Sequence, residues 1–179
     1  VLIDVQRAGP STGMPTRTQQ SDITACAYAS HGDTKHVLLF PSSPKDCFDM
    51  TAEAFDLAEQ LQTPVIMMSD LDLGMNDNMS EPLEWDDNRQ YKRGKVFSAE
   101  RFGRYLDVDG DGIPYRTYPG THPTKGSFFT RGTSRDEYAV YTENGAEYVK
   151  NMERLLDKWE TAKQYVPAPE IIKAKGKAT

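Results

Sequence analysis

The chain has 179 residues, of which 27% are charged and 37% hydrophobic, and a formal net charge of −6. That balance describes a soluble globular protein with enough apolar residues for one core, and it argues against nucleic acid or an anionic membrane surface as a partner. Two cysteines, Cys26 and Cys47, occur without a CxxC or histidine–cysteine cluster, no apolar run reaches membrane-spanning length, and no secretory signal opens the chain. The expected compartment is therefore the reducing cytoplasm, with both cysteines as small buried side chains.

Residues 1–5 form an apolar run that predicts a buried, central strand of a parallel sheet. The run breaks abruptly into a turn-forming segment with Gly9, Pro10, Gly13 and Pro15. In an open α/β sheet the loop beyond a strand's carboxyl end is where ligands bind, and Arg7 stands at that junction. Its planar guanidinium suits a carboxylate or phosphate, which it grips with two parallel hydrogen bonds. Ser11, Thr12 and the backbone N–H groups around Gly9 and Gly13 offer further donors to the same anion. The same pattern also fits a solvated strand-end arginine with glycines that serve only the turn, and no GxxxxGK[ST] phosphate loop is present.

Residues 19–30 carry Ile23, Ala25, Cys26, Ala27 and Tyr28 and predict a helix, entered through Gln20-Ser21-Asp22 and ended near His31-Gly32. Residues 36–40 predict a second strand. Ser43-Pro44 then opens the clearest helix, with Ser43 as N-cap, Pro44 at the first helical position and an apolar stripe that includes Ala54, Phe55, Ala58 and Leu61. Residues 65–68 predict a third buried strand that closes with Ser69-Asp70. Short β-α-β-α-β connections imply a parallel sheet with right-handed crossovers, whose strands end in polar residues on one shared edge.

From 71 to 142 the periodicity disappears. The stretch alternates charge with aromatic residues, among them Trp85, Tyr105, Phe128 and Phe129, and predicts an extended arm that packs on another surface. Within it, Asp107-Val-Asp109-Gly-Asp111-Gly112 imitates the start of a calcium loop. The imitation fails downstream, where Tyr118 takes the place of the bidentate glutamate and Pro114 interrupts the loop, so an aspartate–glycine turn is expected. His31, His36 and His122 have no ligand or triad partners at a telling spacing. Residues 145–166 predict an amphipathic helix stopped by Pro167 and Pro169, and the tail 167–179 reads as a polar linker.

The segment Asp4-Val-Gln-Arg-Ala-Gly-Pro-Ser-Thr-Gly-Met-Pro-Thr16 resembles a signature of the α subunit of 2-oxoacid:ferredoxin oxidoreductases of the 2-oxoglutarate synthase type. Ser43-Pro-Lys-Asp-Cys-Phe-Asp49, Thr63-Pro-Val-Ile-Met-Met-Ser-Asp70, Leu106-Asp-Val-Asp-Gly-Asp-Gly-Ile-Pro-Tyr115 and Gly120-Thr-His-Pro-Thr-Lys-Gly126 follow in the same order as in that family. The resemblance implies an α/β chain. Residues 1–70 correspond to the C-terminal part of a pyrimidine-type thiamine-diphosphate-binding domain, 71–142 to an irregular arm, 143–166 to a helix and 167–179 to a linker toward a further domain.

It also implies the oxidative decarboxylation of a 2-oxo acid, 2-oxoglutarate foremost, to an acyl-coenzyme A, with electrons passed to ferredoxin. Thiamine diphosphate and magnesium would be shared with a β subunit that also carries an iron–sulfur cluster. An arginine at the position of Arg7 is expected to bind the substrate carboxylate, with Ser11 and Thr12 as neighbouring contacts. The family's Tyr-Pro-Ile-Thr-Pro-type motif and the glutamate for the aminopyrimidine ring do not occur in these residues, nor does a cluster-ligating cysteine set. The chain accordingly reads as an internal piece that is inactive alone. A non-catalytic assembly module derived from that subunit and a calcium-dependent interaction domain are the alternatives.

Overall fold

The structure, a computed structural model, describes residues 1–9, 13–14, 17–30, 35–97, 102–130, 134–173 and 175–176. Its elements are β1 (Leu2–Gln6), α1 (Ile23–Ala27), β2 (Val37–Leu39), α2 (Pro44–Leu61), β3 (Val65–Asp70), α3 (Leu71–Met75) and α4 (Gly145–Ala162). The three strands form one parallel sheet in the order β1-β3-β2. Val65, Ile66, Met67 and Met68 are all buried, as expected of a strand paired on both sides and covered on both faces.

The helix α2 forms because each of its local signals agrees. The Ser43 side chain accepts from the Asp46 N–H at 3.1 Å, Pro44 occupies the first turn, and Gln62 ends the helix in the left-handed region at φ 50°. Ala54, Leu57 and Leu61 then pack on Val37, Leu39, Val65 and Met67, with Ile113 and Ala162 closing the core. The helix α4 starts with Asn144, whose side chain accepts from Ala146 N–H at 3.0 Å.

Three expectations need correction. The run at 1–5 is neither central nor buried: β1 pairs with β3 alone, Leu2 is 59% and Ile3 62% exposed, and the core cluster contains no β1 residue. Helix α2 packs on β3, so the apolar side chains of the edge strand are left largely uncovered by the described residues. The helix predicted over 19–30 shrinks to Ile23–Ala27, because Asp22 does not cap it and Ser30 turns the chain at φ 88°; its expected end at His31-Gly32 lies outside the described residues. The last helix stops at Ala162 rather than 166, continuing as hydrogen-bonded turns through Val166. One element, α3, was not predicted: Asp70 ends β3 and caps it by accepting from Leu73 N–H at 3.0 Å.

The long arm is held to α2 by carboxylates. Buried Asp56 accepts from Arg89 Nη2 at 2.8 Å and from Lys92 N–H at 3.0 Å, and Glu59 accepts from Arg116 and from Tyr118. Burial pushes the Glu59 carboxyl up, but the hydrogen bonds from Tyr118 and Arg116 together hold it below its ordinary value. Gln62 adds a bond from its amide to Pro114 O at 2.6 Å.

The aspartate–glycine turn clasps α4. Asp107 accepts from the N–H groups of Gly110, Asp111 and Gly112, which folds the turn tightly. Arg154 then donates to Gly112 O at 3.0 Å and Thr161 to Asp111 O at 2.7 Å. Gly112 has φ +75°, and a Cβ there would lie 2.2 Å from Lys158 N, so only glycine lets the turn touch the helix backbone. Lys95 Nζ meets Asp109 at 2.6 Å and Asp111 at 2.7 Å. An ammonium thus sits between two carboxylates that a calcium loop would aim at its ion.

Candidate functional site

Parallel pairing brings the carboxyl ends of the three strands to one edge, where Gln6 pairs in register with Asp70 and Leu39 with Met67. Most polar groups at that edge are already satisfied. Beyond β2, Ser42 donates through its N–H at 3.0 Å and its hydroxyl at 2.6 Å to Asp46, and these bonds hold the Asp46 carboxyl below its ordinary pKa. Beyond β3, Asp70 is engaged as the cap of α3.

At the end of β1 the situation differs. Arg7 is exposed and makes no hydrogen bond or ion pair among the described residues. Gln6 beside it is 1% exposed; its Nε2 donates to Ser69 O at 3.4 Å, and its Oε1 has no partner among the described residues. A buried acceptor left without a donor costs roughly 1 to 3 kcal/mol, so such an atom is a place where a ligand's donor is gained at little desolvation cost. Gln6 did not emerge from the sequence reading. Its signal was a polar side chain at an inward position immediately before Arg7.

The loop after Arg7 folds back on itself. Ala8 N–H donates to Arg17 O at 3.4 Å and Arg17 N–H to Met14 O at 3.1 Å. Gly13 adopts φ +54°, where a Cβ would lie 2.2 Å from Ala8 O. Thr18 Oγ1 accepts from Asp72 N–H at 3.2 Å, which ties the returning chain to the start of α3. The loop is thus anchored beside the unpaired guanidinium. Ser11 and Thr12 lie outside the described residues.

Other chemistry-bearing side chains have structural partners. Cys26 Sγ lies 3.7 Å from Asp4 Oδ2; burial first, then the Asp4 charge, pushes its thiol pKa up, which is the opposite of an activated nucleophile. His36 Nε2 bonds Ala29 O at 2.6 Å, and His122 Nδ1 accepts from the N–H groups of Thr124 and Lys125. Among the described residues no three His, Cys, Asp or Glu side chains converge as metal ligands. No described helix is long and apolar enough to cross a membrane.

The edge can therefore do two things: bind an anion through Arg7 and accept one hydrogen bond through Gln6. An aminopyrimidine has an exocyclic amine that fits the orphaned Gln6 oxygen, and a 2-oxo acid has a carboxylate that fits Arg7. A magnesium–diphosphate group has no matching set of oxygen ligands among the described residues.

The chain resembles known proteins along most of its length. The chain is 42% identical over 95 residues to a 2-oxoglutarate synthase subunit KorA of Methanothermobacter marburgensis, covering 53% of this chain and 24% of that protein. The KorA subunit of Methanocaldococcus jannaschii is 42% identical over 138 residues, covering 69% of this chain and 38% of that one. Subunit alpha of 2-oxoacid:ferredoxin oxidoreductase 1 of Aeropyrum pernix is 31% identical across 98% of this chain and 27% of its own length. The chain thus spans about a quarter to two fifths of the length of these relatives. Among solved structures, 2-oxoglutarate:ferredoxin oxidoreductase from Magnetococcus marinus with 2-oxoglutarate, coenzyme A and succinyl-CoA bound superposes with a TM-score of 0.80 at 27% identity, covering 98% of this chain and 30% of that one. The family model for the thiamine-diphosphate-binding domain of pyruvate flavodoxin/ferredoxin oxidoreductases matches residues 1–161, and the chain belongs to that family.

Proposed function

We propose that this chain forms part of the α subunit of an enzyme that oxidatively decarboxylates a 2-oxo acid, 2-oxoglutarate foremost, forms the acyl-coenzyme A and passes the electrons to ferredoxin. The observation that carries the reading is the Arg7 guanidinium at the carboxyl edge of the sheet, beside the buried Gln6 oxygen, both without a partner among the described residues. Arg7 receives the 2-oxo acid's carboxylate in a bidentate grip and so fixes the direction of its keto carbon. Ser11 and Thr12 add hydroxyl donors to the same anion.

Thiamine diphosphate supplies the carbon nucleophile and electron sink for the decarboxylation when bound. On this chain Gln6 is the group suited to hold its aminopyrimidine end. The diphosphate, its magnesium and an iron–sulfur cluster fall to the β subunit, and the complex works in the cytoplasm with ferredoxin and coenzyme A. Names of the relatives and the ligands of the Magnetococcus marinus enzyme favour 2-oxoglutarate as substrate.

Replacing Arg7 by alanine in the assembled enzyme tests the assignment. Loss of a charge-assisted carboxylate contact raises the apparent KM for the 2-oxo acid by roughly 2 to 4 kcal/mol, on the order of 30-fold to 1000-fold. The rate of viologen reduction against 2-oxo acid concentration measures it, and an unchanged KM overturns the role of Arg7.

A further inference from the structure

Two surfaces of the arm remain outside the function proposed above, and each lacks what the other has. The first is a cavity of about 480 Å3 lined by Phe102, Arg104, Lys125, Phe128, Phe129 and Tyr138, among other residues, with no aspartate or glutamate among the described lining residues. Arg104 lies at 5.4 Å over the Tyr105 ring and 5.9 Å over Phe128, and it forms no ion pair among the described residues. Burial, opposed by the neighbouring Tyr105 and joined by repulsion from Arg116, pushes its pKa down. At the mouth of the cavity Phe129 is 79% exposed and Val140 60%, an apolar rim of the kind that marks a protein-binding surface. On that rim the Tyr141 hydroxyl is bonded to Glu143 at 2.5 Å.

The second surface is the irregular ribbon 77–87. It holds five acids, Asp77, Glu81, Glu84, Asp86 and Asp87, and no lysine or arginine. Each of its residues is exposed, Met79 completely, and Leu83 stands out as well. None of the five carboxylates forms an ion pair among the described residues. The ribbon therefore presents negative charge alternating with apolar side chains, and the cavity presents positive charge framed by aromatic rings.

We infer that the ribbon 77–87 of one copy of this chain docks into the Arg104–Lys125 cavity of a second copy. Glu81 and Glu84 meet the two cations, while Met79 and Leu83 cover the aromatic rim. Each copy has both surfaces, so a two-fold axis lets the contact form twice, once in each direction, and closes the pair. The complementarity is local and works against the net charge of −6 that makes two copies repel at long range. The inference stands apart from the catalytic reading, since neither surface includes Arg7 or Gln6.

A charge-reversal cycle on the protein as purified tests it. Lys125 and Glu84 are both exposed, so Lys125→Glu and Glu84→Lys leave the fold intact. Each single reversal is expected to weaken association of the two copies about 10-fold or more in sedimentation at low salt, and the double reversal to restore most of the loss. Zero-length carbodiimide coupling of the parent protein should in parallel join Lys125 to Glu81 or Glu84 across two copies. Single reversals without effect, a double variant as weak as the singles, or Lys125 coupled to a polypeptide of another sequence overturns the inference.

Discussion

Lys158 on α4 has the most displaced proton affinity in the described chain, and replacing it with methionine is expected to stabilise the protein at neutral pH. Its side chain lies near Leu61, Leu155 and Trp159, and its ammonium reaches Gln62 O at 3.4 Å. Burial first, then repulsion from Arg154 and Arg104, lowers its pKa from 10.5 to about 8. At 1.36 kcal/mol for each tenfold change in proton affinity, keeping the buried ammonium charged costs roughly 3 kcal/mol below pH 8. Methionine keeps the unbranched stem, removes that cost and gives up one long hydrogen bond worth about 1 kcal/mol, which leaves a gain of about 2 kcal/mol at pH 7. The sign of the pH dependence follows from proton counting. Between about 8 and 10.5 the folded state binds fewer protons than the unfolded one, so the parent gains stability as pH rises through that window, whereas the variant has no such slope. Its advantage should therefore shrink as pH rises above about 8, vanish at about pH 9.5 and become a deficit of about 1 kcal/mol by about pH 10.5. Urea midpoints followed through the neighbouring Trp159 from pH 6.5 to 10.5, taken as differences from the parent, measure it. A variant less stable at pH 7, or a difference that does not change with pH, refutes the reasoning.

Asp56→Ala leaves Arg89 and the Lys92 N–H without their carboxylate, and a loss of roughly 3 to 5 kcal/mol is expected in denaturant titration, with faster amide exchange over residues 89–95. Gly112→Ala places a Cβ against the backbone of α4; it should cost about 3 kcal/mol or more and lower the thermal midpoint. Gly13→Ala forces a side chain into the closed loop beside Arg7, and KM for the 2-oxo acid should rise roughly 3-fold to 10-fold with kcat little changed in steady-state kinetics.

What could be read in advance depended on whether the causes were local. Ser43, Pro44 and the apolar stripe carry α2 almost completely, because capping, proline geometry and helical spacing act within one element. The parallel sheet followed from short β-α-β connections. Strand order did not: an apolar run such as residues 1–5 reads the same at an edge as at the centre, and only pairing with β3 alone shows which it is. The arm was unpredictable for the same reason. Asp56, Glu59 and Gln62 sit 33 to 59 positions away from most of the groups they bind, so no local period encodes the contact. In the site, Arg7 was legible from its place after a strand, whereas the significance of Gln6 lay in its burial and its unmade hydrogen bond.

Charge pairs fix the arm to the rest of this chain. The arm is fixed by acids that each meet a cation: Asp56 with Arg89, Glu59 with Arg116, Asp109 and Asp111 with Lys95. Burial works against the Lys95 ammonium, but hydrogen bonds to Asp109 and Asp111 hold it above its ordinary pKa, and its bond draws Asp109 down, so the pair acts as a charged clasp. A segment whose sequence imitates a calcium loop is thereby closed by an internal ammonium instead. Against that economy, Arg7 at the sheet's carboxyl edge and Arg104 in the aromatic cavity each keep a guanidinium that pairs with no carboxylate among the described residues. An unpaired guanidinium contributes nothing to the clasping of the arm, and the more buried of the two costs stability until an anion arrives. Under the two proposals made above, each meets an anion from outside the chain: the small carboxylate of a 2-oxo acid at Arg7, and the acidic ribbon of a second copy at Arg104.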